Sequence, residues 1–267
     1  MFQYALCQSF VSKGIKVKLD ISKFRAGSLH NGYELERIFG LQEDYCSRSE
    51  RVVVKSLSKV LHVLFKHPYK EKRGWQWVHH PEVNDIRFGF LRGYWQSEKY
   101  FSESANIIRE KFAFPMLTDE RNMAVQGAMA NDNAVSLHIR RGDYSRPDMS
   151  CSLDIEYYLD AMALVNERVS DPHYFIFSDD IEWARENIKE SRAMFIDWNT
   201  GPNSFVDMQL MSLCRHNIIA NSSFSWWSAW LNRNPSKLVI APGQWMPGMK
   251  DDGDVLPETW IRVATRF

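Results

Sequence analysis

Metal-binding and disulfide signatures are the first things this sequence lacks. Its four cysteines, Cys7, Cys46, Cys151 and Cys214, stand far apart. None belongs to a CxxC pair or a Cys/His cluster, so no zinc-ligand spacing is present. Scattered thiols fit a reducing cytoplasm better than a disulfide framework. Net charge is missing as well. Over 267 residues, 33 basic side chains balance 33 acidic ones, which argues against general nucleic-acid binding. No apolar run reaches the roughly 20 residues that span a bilayer. No signal peptide is visible, because Met1 leads directly into an amphipathic stretch. These absences predict a cytoplasmic protein. There is no Walker A and no GxGxxG, which disfavours an NTPase or a dehydrogenase.

Aromatic residues are plentiful, with ten Trp, ten Tyr and sixteen Phe. Such a chain is globular rather than disordered. Its length suits one large domain or two smaller ones.

Hydrophobic spacing predicts a helix over 1–13, closed by Gly14, and an alternating strand over Ile15–Asp20. Short helices follow over Leu35–Phe39 and 103–112, and a strand over Phe88–Tyr94. Residues 51–66 read as a helix with Val53, Leu57, Leu61, Leu64 and Phe65 at helical spacing. That helix carries Arg51, Lys55, Lys59 and Lys66, and Lys70, Lys72 and Arg73 follow it. The ordinary reading is one core face and one solvated face. The alternative is peripheral contact of residues 51–73 with an anionic membrane, at its inner face.

Residues 115–133 read as a connecting stretch and as the domain junction, although no Gly/Ser-rich linker marks it. The expected division is an N-terminal α/β half over 1–125 and a C-terminal half over 126–267. The second half alternates strand and helix. Strands are expected at Ala134–Ile139, Tyr174–Ser178, Ala193–Asp197, Asn217–Asn221 and Leu238–Ala241, the last of them. Helices are expected at 155–169, 182–188, 205–214 and 224–231. This rhythm predicts an α/β fold with a parallel sheet covered on both faces.

Three motifs fall at the ends of predicted strands, where ligands collect in open α/β sheets. The first is His138-Ile139-Arg140-Arg141-Gly142-Asp143-Tyr144. Arginine is always charged, and its planar fork matches phosphate or carboxylate oxygens. The pair therefore reads as a diphosphate site, or equally as an ion pair held by Asp143 and other acids. The second motif is Phe177-Ser178-Asp179-Asp180. An aspartate here can accept hydrogen bonds from a ribose or a guanine, or can cap the following helix. The third is Asn221-Ser222-Ser223-Phe224-Ser225-Trp226-Trp227, opening a helix whose free N–H groups favour an anion. Together the three suggest a nucleotide-diphosphate site.

The first motif closely resembles the HxRRxD element of inverting fucosyltransferases. With Met1-Phe2-Gln3-Tyr4-Ala5, the stretch Tyr33–Gly40, the stretch Gly93–Phe101 and the other two motifs, the chain resembles glycosyltransferase family 11, the α-1,2-fucosyltransferases. The resemblance implies a GT-B-like fold of two Rossmann-type halves with parallel sheets. It implies GDP-β-L-fucose as donor and an oligosaccharide or glycolipid acceptor, with inversion to an α-1,2 linkage on a terminal galactosyl sugar. No cofactor or metal is expected, since arginine supplies the charge neutralisation. By position, Arg140 is the β-phosphate ligand, and Arg141 supports it or holds the motif through Asp143. His138 and one of Asp179 or Asp180 read the guanosine end. Ser222, Ser223 and Ser225 bind phosphate oxygens, with Asn221 and Phe224 in the same donor segment. Arg140 and Asp143 form the catalytic set, Asp143 as organiser of the arginines. Glu98 and Asp20 are further candidates to approach the acceptor, and Tyr94-Trp95 either stacks on its sugar or packs in the core. The family carries a GxLGNQ segment just before MFQYA, which would supply a first strand and a donor-facing loop; here the sequence begins at that Met. Two other readings remain: a transferase of another GDP-linked deoxysugar, and a non-catalytic GDP-sugar or glycan-binding protein.

Overall fold

Contacts divide the chain into two units, Met1–Pro115 with Gly253–Pro257, and Met116–Asp252 with Glu258–Phe267. The structure, a computed structural model, describes residues 1–24, 32–65, 77–131, 133–145, 150–249 and 253–267. Lys66, Lys70, Lys72 and Arg73 of the basic segment lie outside the described residues.

The first unit opens with α1 (Phe2–Ser12), which buries Phe2, Tyr4, Ala5, Leu6 and Phe10. Gly14 follows at φ +74°, a left-handed turn that suits glycine. Helices α2 (Leu35–Phe39), α3 (Arg48–Phe65) and α4 (Ala105–Lys111) come next. Trp95 is buried edge-on against Tyr100, at 5.6 Å between ring centroids, so it belongs to the core, whereas Tyr94 is exposed. Asp20 is tied to Arg51 at 2.9 Å.

The strand expected at Ile15–Asp20 is not formed. Its backbone makes one parallel bridge, Leu19 to Tyr45, and Phe88–Tyr94 forms no named strand either. The cause is visible in the residues. A parallel sheet buries both faces and needs near-continuous apolar runs. Here Lys16 and Lys18 alternate with the apolar residues, and Lys18 turns to Asp44 and Glu50. Among the described residues the first unit therefore holds no sheet.

The second unit is wholly doubly wound. Its elements are α5 (Glu120–Asn131), β1 (Asn133–Ile139), α6 (Ile155–Arg168), β2 (Pro172–Ser178), α7 (Ile181–Asn187), β3 (Ala193–Ile196), α8 (Phe205–Leu213), β4 (His216–Ile218), α9 (Ser223–Leu231), β5 (Val239–Pro242) and β6 (Ile261–Val263). All six strands are parallel, in the order β3-β2-β1-β4-β5-β6. The α/β class and the parallel sheet stand as expected. Two details are corrected. A helix, α5, occupies most of the supposed connection at 115–133; its pattern is faint because only Val125 and Met129 of its apolar side chains are buried. A further strand, β6, follows the supposed last one; it spans three residues, with Arg262 turned outward.

Helices cover both faces. Val135, Leu137 and Ile139 of β1 pack against Tyr157, Tyr158, Ala161 and Val165 of α6. On the other face, Ala134, Phe175 and Phe177 meet Val125 and Met129 of α5 and Leu210 and Met211 of α8. Inside, Asn217 donates to Ser136 Oγ at 2.7 Å and to the Met211 carbonyl at 2.8 Å, and accepts from Asn232 at 2.8 Å. Buried amides must be paired in this way, and here the pairing locks β4 to β1.

Candidate active site

The strand order reverses direction between β1 and β4, which are adjacent in the sheet although α6, β2, α7, β3 and α8 separate them in sequence. Such a switch point opens a crevice at the carboxyl ends of the strands. The arginine motif leaves β1 at this point, and the Asn-Ser-Ser-Phe-Ser motif leaves β4. Tyr144 links them, donating from its hydroxyl to the Asn221 carbonyl at 3.3 Å. Burial pushes the Tyr144 phenol up to about 12, so it stays a donor.

Arg140 is gripped from two sides. Nη2 donates to Asp143 Oδ1 at 2.6 Å, and Nη1 meets Asp179 Oδ2 at 2.8 Å. The other Asp179 oxygen accepts the backbone N–H of Arg141 at 2.8 Å. Gly142 makes this approach possible, because a Cβ there would lie 2.6 Å from Asp179 Oδ2. Arginine has five N–H donors. These two carboxylates use two of them and fix the plane of the fork.

Arg141 is held differently from the expectation. It pairs with Asp180 Oδ2 at 3.3 Å, and its guanidinium lies 4.1 Å from the centre of the Trp183 ring. Asp143 belongs to Arg140 instead. Asp180 also caps α7, accepting from Trp183 N at 3.2 Å. Both Asp179 and Asp180 are thus engaged on the arginine pair. The physical reason is the charge of two adjacent guanidinium groups at a strand end, which draws in counter-charge from the next strand.

His138 is the penultimate residue of β1, two positions before Arg140. It is 95% buried, its ring 5.7 Å from that of Phe224. Burial, aided by Arg140, lowers its pKa to about 3, so the imidazole is neutral. Among the described residues its Nδ1 has no hydrogen-bond partner, and neither has Asn221 Oδ1. Asn221 Nδ2 donates to the carbonyls of Cys151 at 3.0 Å and Trp245 at 3.1 Å.

The serines divide by role. Ser222 caps α9, accepting from Phe224 N at 3.3 Å. Ser223 is exposed at the first turn. Ser225 is fully buried and donates to the Ser222 carbonyl at 3.3 Å, so it braces the turn instead of facing a ligand. Trp226 and Trp227 stand behind it with rings 5.0 Å apart, and Trp226 also meets Trp260 at 5.5 Å. This aromatic backing holds the N-terminus of α9 in place. The contacts of Trp183 with Arg141 and of Tyr144 with Asn221 are ones that sequence reasoning passed over. A tryptophan just inside the helix capped by Asp180 was the available signal. Among the described residues, no three His, Cys, Asp or Glu side chains are grouped to hold a metal ion, and no helix is long and apolar enough to cross a membrane.

Comparison with known proteins gives a consistent picture. The profile of glycosyl transferase family 11 matches residues 53–263. An α-1,2-colitosyltransferase of Escherichia coli is 31% identical over 98% of this chain and 94% of its own length. The O-antigen biosynthesis glycosyltransferase WbnK of Escherichia coli is 37% identical over 50% of this chain and 45% of its own. Human galactoside α-(1,2)-fucosyltransferase 1 is 25% identical over 73% of this chain. The match spans 58% of the human protein's length.

Proposed function

The chain belongs to glycosyltransferase family 11, and from that premise we propose that it moves L-fucose from GDP-β-L-fucose to the 2-hydroxyl of a terminal galactosyl sugar, forming an α-1,2 linkage by inversion. The observation that carries this reading is Arg140, fixed between Asp143 and Asp179 at the switch point of the sheet. In the transfer, the acceptor oxygen attacks the anomeric carbon opposite the diphosphate. The bond from that carbon to the β-phosphate oxygen breaks, and its electron pair leaves on GDP. The acceptor proton departs to a base. Negative charge grows on the leaving diphosphate, and a preorganised donor aimed at it is worth ~3 kcal/mol.

Arg140 fills that role with the N–H groups that Asp143 and Asp179 leave open. The N-terminus of α9, with Ser222 and the exposed Ser223, adds neutralisation beside it. No metal is required in this scheme. Asp143 acts as an organiser, since it is committed to Arg140. His138 Nδ1 and Asn221 Oδ1, at the ends of the adjacent strands β1 and β4, are both buried without a hydrogen-bond partner among the described residues. Buried polar atoms rarely stay unpaired, which supports a ligand or an ordered water there. Arg141, tied to Asp180 and stacked on Trp183, steadies the motif from behind. The acceptor is an oligosaccharide or glycolipid, and the likeness to an O-antigen enzyme favours a surface-glycan precursor.

A second donor is favoured by one observation, the likeness to a colitosyltransferase along nearly the whole chain. Colitose is fucose without its 3-hydroxyl. A panel of GDP-fucose and GDP-colitose, each with a β-galactoside acceptor and chelator present, separates the two. Arg140→Lys keeps the charge but loses the planar fork, and most of the turnover should disappear. Near-parental turnover in that variant refutes the role given to Arg140.

A further inference from the structure

Helix α3 is built inside out. Its inward face holds Ser58, which is buried and accepts the backbone N–H of Phe90 at 2.6 Å, while Arg51 reaches Asp20 and Glu50 reaches Lys18. Its outward face is apolar. Val52, Val53, Leu57, Val60, Val63 and Leu64 are between 48% and 80% exposed. Val53, Leu57, Val60 and Leu64 follow one another at steps of four, three and four, so they form a single continuous stripe. An exposed row of large aliphatic side chains on one helix marks an interaction surface.

Charge says what covers it. Lys59 and Arg48 lie beyond Val63 and Val52 on one side of the stripe, with Lys55 farther round, and the helix's one acid, Glu50, is paired with Lys18. The asymmetry extends beyond α3. Residues 1–115 carry 19 Lys and Arg against 12 Asp and Glu, and residues 116–267 carry 14 against 21. The balanced total therefore conceals a cationic first segment and an anionic second one. We propose that α3 is an interfacial helix that docks the first unit on an anionic lipid surface. Its valines and leucines enter the headgroup boundary, and Arg48, Lys55 and Lys59 lie against lipid phosphates. A second copy of the chain fits less well, because self-pairing along this stripe would bring two cationic edges together. The inference does not depend on the identity of the sugar donor.

The test is cosedimentation of the full chain with vesicles of phosphatidylcholine alone, or of phosphatidylcholine mixed with phosphatidylglycerol. Binding is expected only to the anionic vesicles, and should weaken as salt rises. Lys55→Gln or Lys59→Gln should lower partitioning roughly fivefold each. The double change Leu57→Ser with Leu64→Ser should abolish it while leaving the thermal melt unchanged, since both side chains are exposed. Failure of the parent to bind anionic vesicles overturns the proposal, as does unchanged binding by the double serine variant. A concentration-dependent dimer lost in that variant, without vesicle binding, assigns the stripe to a second copy and refutes it too.

Discussion

Asp179 holds Arg140 from the neighbouring strand, with Oδ2 2.8 Å from Nη1. The same carboxylate accepts the Arg141 backbone N–H through its other oxygen. One side chain thus sets both the position of the guanidinium and the path of the loop that carries it. Asp179→Asn keeps an acceptor but loses the charge and one strong contact. Transfer by this variant should fall ten- to hundredfold, on the scale of a misplaced positioning contact. The melting temperature should change little, because the site is partly exposed. An unchanged kcat would remove Asp179 from the positioning of Arg140.

Gly142→Ala tests the same geometry from the other side. The added methyl would meet Asp179 Oδ2 at 2.6 Å, and that oxygen can move only by releasing Arg140. The carboxylate is the far end of a flexible side chain, so folding should survive. The expected signature is a loss of kcat comparable to that of Asp179→Asn. Combining the two substitutions should add little, since both break one contact. A double variant whose losses multiply would show that Gly142 acts elsewhere.

Asn221 is a structural anchor more than a ligand contact. Its amide donates to two carbonyls, those of Cys151 and Trp245, from a site only 1% exposed. Asn221→Ala removes both of these hydrogen bonds from the interior. The expected loss is about 2–4 kcal/mol in urea unfolding, which also loosens the loop after β1. A loss under about 0.5 kcal/mol, the range of ordinary surface changes, would mean water replaces the amide.

Much of the second unit could be read from its strands. Runs such as Val135-Ser136-Leu137 and Tyr174–Phe177 announce buried parallel strands directly. The resemblance also pointed to Arg140. What the residues could not disclose was the pairing across strands. Asp179 reads as a helix cap or a base reader until β2 is seen beside β1. The neighbouring of Tyr144 and Asn221 likewise follows from strand order, which no local pattern encodes. Helix α5 escaped because one face of two apolar residues makes a weak period. Helix α3 misled in the opposite sense. Its strong period is real, but the apolar face points outward.

His138 gives the site a pH signature in stability. Its folded pKa, lowered to about 3, lies below the ordinary 6.5. The unfolded chain binds this proton first, so stability is full above pH 6.5 and falls as pH drops toward 3. The slope it contributes is about 1.4 kcal/mol per pH unit in that window. His138→Phe should remove this contribution, leaving that of Asp207 unopposed, and keep the contact with Phe224. GDP affinity should show no step from this residue between pH 5 and 8, because the imidazole is already neutral. A titration of His138 near 6.5 seen by NMR would refute the assignment.

Asp207 works in the opposite direction. It lies in the first turn of α8, largely buried, and burial lifts its pKa from 3.8 to about 7, opposed by Asn199 donating at 2.8 Å. Asn199 in turn exchanges hydrogen bonds with Asn122, at 2.9 and 3.0 Å, so the carboxyl ends a chain of amides joining α8 to α5. A raised acid favours the folded state most below about pH 4, and that advantage is lost as pH climbs through 7. Between pH 4 and 6.5 the His138 and Asp207 slopes oppose each other, so the parent should look nearly indifferent to pH there. Each substitution should unmask the other group. Asp207→Asn should gain stability as pH rises, and should exceed the parent at pH 8 by on the order of 2 kcal/mol. His138→Phe should lose stability over the same climb. Urea unfolding of the three proteins at pH 5 and pH 8 reads both signs at once. Parallel pH dependence in all three would show that neither group is perturbed by its surroundings.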